Sequence, residues 1–161
     1  MSDRILFILT YFSTLGSGLA TGLFFIFSAC IMTALSRIPA EHGIGAMQSI
    51  NSTILNPLFM LVFMGTTIVS VVIAIFAFMR WGEPGSIYLL AGCVFYLIGF
   101  IVTAAFNVPL NDSLASLDPK NTSSTALWTQ YLNVWTSWNH VRTLACIAAL
   151  ASFVLALRQM K

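Results

Sequence analysis

The chain has 161 residues, 58% of them hydrophobic and only 7% charged, with a mean hydropathy of +0.91, whereas soluble domains average about 25% charged residues. Seven basic and five acidic side chains leave a net charge of +2, far too sparse for the basic stripe that a nucleic-acid partner requires. The composition is that of an integral membrane protein whose first partners are lipids.

No charged side chain falls between Arg4 and Arg37, and the ~32 intervening residues would make a helix of about 48 Å against a hydrocarbon core of about 30 Å. The first span, about 5–35, must therefore tilt or project. Within it Gly18 and Gly22 form a G-x-x-x-G pair, with Thr14 one turn earlier. Such a strip admits the close approach of another helix, in the same chain or in a second copy, so a homo-oligomer through Gly18 and Gly22 is one expectation.

The segment 39–55 mixes Glu41 and His42 with Ile44, Met47 and Ile54, a pattern for a short helix lying at the interface. Asn56 is placed to cap a helix that Pro57 opens, and the second span runs over 57–79. "RWGEPGS", Arg80 to Ser86, is a tight turn, and the third span follows over 86–106. "FNVPLNDSL" then leads into a polar loop with Asp112, Asp118 and Lys120.

From Thr122 to Lys161 there is neither glycine nor proline, which suits one long helix. Only 139–158 need lie in lipid, while Trp128, Tyr131, Trp135 and Trp138 would rise through an aromatic belt. The fold class is thus all-α, a single-domain four-helix transmembrane bundle with long first and last helices. Segments 39–55 and 107–138 form its outward cap. Four spans place both termini on one side, and Arg4, Arg80, Arg158 and Lys161 there against Arg37, Lys120 and Arg142 opposite lean toward cytoplasmic termini in a bacterial inner (plasma) membrane.

Ionisable and amide side chains at membrane depth are costly and tend to mark function. Asn107, Asn111, Asn139, His140 and Arg142 gather where the third span ends and the fourth begins. At about 100° per residue, Trp135, Trp138, Asn139 and Arg142 share one stripe of a helix, whereas His140 lies about 200° from Arg142. Either the helix is irregular there or only one of the two charged groups points into the bundle. Plainer roles stand beside these: Arg142 snorkelling to headgroups, His140 bonded to a loop carbonyl, and Asn107 and Asn111 capping and turning the chain at Pro109. His42, His140, Glu41, Asp112 and Asp118 show no metal-site spacing, so no metal is expected. Cys30, Cys93 and Cys146 read as small buried hydrophobes.

"CIMTALSRIP", "MQSINSTILNPLFMLVF", "FNVPLN" and "WTSWNHVRTLA" resemble the signature stretches of the anthrone-oxygenase-like family of small four-span membrane proteins. The strongest carriers are Asn56-Pro57, the N-x-P-x-N of Asn107, Pro109 and Asn111, and the W-N-H-x-R of Trp138, Asn139, His140 and Arg142. The resemblance implies oxidation of anthrones to anthraquinones by O₂ without metal or flavin. Such chemistry needs a base, oxyanion donors and a flat apolar slot. His140 is the candidate base, Asn107, Asn111, Asn139 and Arg142 the candidate donors, and Trp135, Trp138 and Asn56 the candidate substrate-binding residues for an apolar aromatic molecule. Two other classes remain open: a protein that binds a quinone, lipid or haem without turnover, and a structural scaffold.

Overall fold

Ser2 begins the first helix, its hydroxyl accepting from the Ile5 amide at 3.4 Å. In the computed structural model, which describes residues 2–160, this helix continues from Asp3 to Ser36. It consists of α1 (Asp3–Ile26), a π-helical turn (Phe27–Ile31) and α2 (Met32–Ser36). In the wide turn the Met32 amide reaches back to the Phe27 carbonyl, five residues away, so one extra residue is accommodated. After Pro39 comes α3 (Ala40–Thr53), which packs on α2 and on two later helices.

Asn56 caps α4 (Pro57–Met79) by accepting from the Phe59 amide at 3.0 Å, with Pro57 in the first turn, where its missing N–H costs nothing. The Arg80–Ser86 turn uses Gly82 and Gly85 at φ +96° and +88°, a region that residues with a Cβ avoid. Arg80 closes this end of the bundle by a hydrogen-bonded ion pair with Asp3, with Glu83 3.6 Å away.

The third span differs from its expected end. α5 (Ser86–Val102) runs through a second π-helical turn (Thr103–Asn107) directly into α6 (Val108–Ala115), a continuous helix of 30 residues. Pro109 does not turn the chain. A proline inside a regular helix clashes with the carbonyl four residues back, and the widened turn just before it relieves that crowding. α7 (Ser124–Gln159) is one uninterrupted helix of 36 residues.

α7 packs on α5 and α1, and α4 closes the bundle against the same two helices. The membrane core centres on Tyr96 and Phe153, with Phe63 set against the rings of Phe24, Phe59 and Phe100. A second core under the cap holds Ile44, Met47 and Leu114 with Trp128, Tyr131 and Trp135. Those three aromatics were expected to rise through an aromatic belt, Trp135 also as a candidate substrate-binding residue. They are instead buried, with ring centroids 5.6 and 6.0 Å apart along α7, because α3 and α6 cover that face. Leu19, Leu58 and Leu144, each more than 60% exposed, belong to an outer apolar face that suits lipid rather than water.

Closest approach between α1 and α4 occurs at Gly16, where an added Cβ would fall 1.9 Å from Thr66 Oγ1. Gly18 is half-buried near Leu150, and Gly22 is exposed with open space beside it. Cys93 and Cys146 are buried, but Cys30 is exposed, because the first π-helical turn carries it onto the outer face. Lys161, counted above among the basic residues near the termini, lies outside the described residues.

Candidate functional site

Because α7 stays regular, its residues separate by phase. Trp135, Asn139 and Arg142 face inward and are all buried, Arg142 to 5% exposure and Asn139 to zero. The Arg142 guanidinium lies between two rings, 4.3 Å from the centroid of Phe24 and 5.0 Å from that of Trp135. One terminal nitrogen donates to Asn139 Oδ1 at 2.7 Å and the other to Thr103 Oγ1 at 3.4 Å, while Nε is buried with no partner. Among the described residues no carboxylate comes within ion-pair distance of it. Taking such a cation out of water costs several kcal/mol. Ring faces and neutral acceptors offset part of that cost without neutralising the charge.

Both π-helical turns meet α7 at this level. The first presents Ser28, whose hydroxyl lies 2.8 Å from Asn139 Nδ2, 2.9 Å from His140 Nδ1 and 3.1 Å from Thr143 Oγ1. Thr143 donates its own proton to the Asn139 carbonyl at 2.9 Å, and Ser28 accepts from Asn139, which leaves its single proton for Thr143 or for the His140 ring nitrogen. Asn139 is held from both sides, donating to the Phe24 carbonyl at 2.8 Å while its oxygen orients Arg142. The second turn presents Thr103 to Arg142 and Asn107 to the Trp135 carbonyl at 3.2 Å.

Arg142 lines a cavity of about 320 Å³, within the range usual for small-molecule sites. Phe24, Phe27 and Trp135 supply aromatic walls, α3 contributes Met47 and Gln48, and α6 brings Asn111 and Asp112. Asn111 Oδ1 accepts from Tyr131 at 2.8 Å and from Trp135 Nε1 at 2.7 Å. With its oxygen taken by two donors, the amide nitrogen of Asn111 is the group left to act as a donor at the wall. Gln48 fastens α3 over the cavity by donating to the Leu114 and Leu117 carbonyls at 2.9 and 3.0 Å.

The eight residues singled out by sequence therefore divide. Arg142, Asn111 and Trp135 line the cavity, and Asn139 stands directly behind Arg142. Asn107 is fully buried but ties the second π-helical turn to α7 rather than lining the cavity. Trp138, expected on the inward stripe, is turned outward enough to stack on Phe106 at 3.8 Å between centroids. Asn56 caps α4 and borders a neighbouring groove. His140 is exposed on the far side of α7, as its phase relative to Arg142 requires, and lines a separate outer depression with Phe25 and Leu144. Among the described residues no three His, Cys, Asp or Glu side chains cluster closely enough to hold a metal ion. Sequence reasoning missed Ser28, Thr103, Phe24 and the placement of Asp112. Hydroxyls in apolar helices usually bond back to their own helix and give no sign when, like Ser28, they reach across to another.

The sequence model of a family described as Anthrone oxygenase matches residues 59–152, more than half of the chain. The chain belongs to the anthrone oxygenase family. No curated protein and no solved structure matches it. The matched segment carries Thr103, Asn107, Asn111, Trp135, Asn139, His140 and Arg142, so the cation and the second π-helical turn lie within the range that the family model covers. Ser28, Asn56 and the α3 roof lie outside it.

Proposed function

We propose that this family member oxidises a flat, weakly acidic compound of the anthrone type with O₂ in the cavity beside Arg142. One observation carries the reading: a guanidinium excluded from water, with no carboxylate in ion-pair distance among the described residues and one N–H unused, at the wall of an aromatic cavity. Such a group is arranged for an oxyanion that arrives with the substrate or forms during reaction.

The steps follow from that placement. The substrate carbonyl points at Arg142 and at the amide nitrogen of Asn111, with its rings against Phe24, Phe27 and Trp135. Loss of one CH₂ proton gives an enolate whose oxygen charge Arg142 stabilises. Asp112, a carboxylate on the cavity wall, accepts the proton. The enolate passes one electron to O₂, and the resulting radical and superoxide combine into a C–O bond. Protonation gives the hydroperoxide, which loses water as the new C=O forms, so CH₂ plus O₂ becomes C=O plus H₂O. The enolate reduces O₂ directly, and the scheme asks for no metal or flavin. His140, outside the cavity, acts through Ser28 and Asn139 as a positioning residue.

The test uses the purified protein in lipid nanodiscs, following anthrone loss and O₂ uptake together. Arg142→Gln should lower kcat/KM by about 10²–10³, the usual cost of removing an oxyanion donor, while His140→Ala should leave most of the rate. A folded Arg142→Gln protein working at the full rate would overturn the assignment.

A second reading, binding of an acidic quinol or lipid without turnover, is favoured by the absence of His140 from the cavity. It predicts Arg142-dependent binding of such molecules with no O₂ uptake, and the absorption spectrum of the isolated protein would separate a quinone from haem. The orientation we propose keeps the termini cytoplasmic in a bacterial inner membrane. Arg142 is buried and no longer counts toward the opposite surface, which strengthens the charge asymmetry. The exposed Gly22 supports the further proposal that copies meet there.

A further inference from the structure

Between α1 and α4 a groove of about 200 Å³ opens on the outer face of the bundle. Leu19, Ala20 and Leu23 form one wall and Leu58, Phe59 and Val62 the other, with Asn56 as the single polar group among the lining side chains. Leu19 and Leu58 are 63% and 72% exposed, so the groove faces the hydrocarbon. Two of its residues, Leu23 and Phe59, also line the cavity that holds Arg142. Cavity and groove thus share a partition of two partly buried side chains, one of them a ring stacked on Phe63 at 5.4 Å.

We infer that the natural ligand is a membrane amphiphile: a flat, anionic head beside Arg142 joined to a hydrocarbon tail that passes Leu23 and Phe59 and lies in the α1–α4 groove. The inference deepens the functional reading and rests on it for the head. For the tail it rests on the partition that the two spaces share. The cavity holds Arg142, with no carboxylate within ion-pair distance among the described residues, and the adjoining groove offers apolar contact apart from Asn56, so one molecule that suits both is acidic at one end and aliphatic at the other. Aliphatic chain lying in the groove gains over chain left in water with each CH₂ buried, but a chain already dissolved in the bilayer gains far less. The groove therefore selects by shape and guides the tail more than it adds raw affinity. A molecule of this kind reaches the cavity sideways from the bilayer, and Phe59 stands where it must pass.

A matched pair of probes tests this: 2-hydroxy-1,4-naphthoquinone, which is flat and anionic at neutral pH, and the same ring with a dodecyl chain at carbon 3. Binding is measured in nanodiscs, with concentrations expressed per lipid so that simple partitioning cancels. The tailed probe should bind at least tenfold more tightly than the tail-free one. Leu19→Trp, which fills the groove from an exposed position, should remove that advantage and leave the tail-free probe unchanged, and Val62→Trp from the opposite wall should do the same. Equal affinity of the two probes, or an advantage that survives both Trp variants, overturns the tail assignment. In the latter case the groove holds ordinary lipid acyl chains. Arg142→Gln separates the two readings, because loss of both probes supports the anionic head, whereas unchanged binding of the tailed probe overturns it.

Discussion

At the scale of single residues, Asn139 does the most to make Arg142 usable. Its oxygen accepts from the guanidinium at 2.7 Å and its nitrogen is anchored at the Phe24 carbonyl and at Ser28, so the amide cannot flip without losing all three contacts. Hydrogen bonds to charged groups contribute about 1.5–3 kcal/mol. Asn139→Ala should therefore destabilise the protein by about 2 kcal/mol, read as a lower Tm in detergent, and weaken anionic probes nearly as much as Arg142→Gln does. Asn139→Asp should bind those probes still more weakly, since a carboxylate beside Arg142 would supply the missing counter-charge. The inward stripe of Trp135, Asn139 and Arg142 was legible in the sequence because a regular helix fixes phase. The separation of His140 from Arg142 was legible for the same reason, at about 200° of phase, but which of the two would face the bundle was not, and the structure turns Arg142 in and His140 out.

At the scale of elements, four long apolar helices and the Asn56-Pro57 helix start follow from hydropathy and capping, and the structure has them, although the third helix runs on to Ala115. The two π-helical turns were invisible, because "FSACI" and "TAAFN" contain nothing that distinguishes them from ordinary helix. Wide turns depend on tertiary contacts, here the pull of Ser28 toward Asn139 and of Thr103 and Asn107 toward α7. The glycine that matters within the chain lies two positions before the pair that the sequence singles out. The conspicuous G-x-x-x-G points at Gly18 and Gly22, but the contact that needs a missing Cβ is at Gly16. Gly16→Ala should cost about 1–3 kcal/mol by overpacking against Thr66. Thr66→Ala in the same protein should recover part of that loss, because the Thr66 hydroxyl is buried without a partner. Thermal unfolding of the single and double variants measures both effects.

At the scale of the whole molecule, two cores divide the work. The membrane core around Tyr96 and Phe153 holds the four spans together, and the cap core around Ile44 and Trp128 seats α3 as a roof over the cavity. The roof is fastened chiefly through Gln48 and, more loosely, by Asn51 Nδ2 to the Tyr131 hydroxyl at 3.5 Å. Gln48→Ala should accelerate dissociation of a bound naphthoquinone probe with little change in Tm, a difference that stopped-flow displacement can resolve. That a cap exists could be read from two polar stretches facing the same way. Its buried aromatics could be read only in part, since Trp135 shares the phase of Asn139 and Arg142 but nothing in the spacing of Trp128 and Tyr131 says whether lipid or protein will cover them. The second π-helical turn has an evolutionary corollary. Deleting one codon at Ala104 or Ala105 would remove the residue that the wide turn absorbs and restore ordinary 3.6-fold winding, leaving Asn111 near its present phase but withdrawing the bulge that turns Thr103 and Asn107 toward α7. Among relatives, a one-residue gap at this point would thus mark a rod that keeps its wall while losing its tie to the last helix.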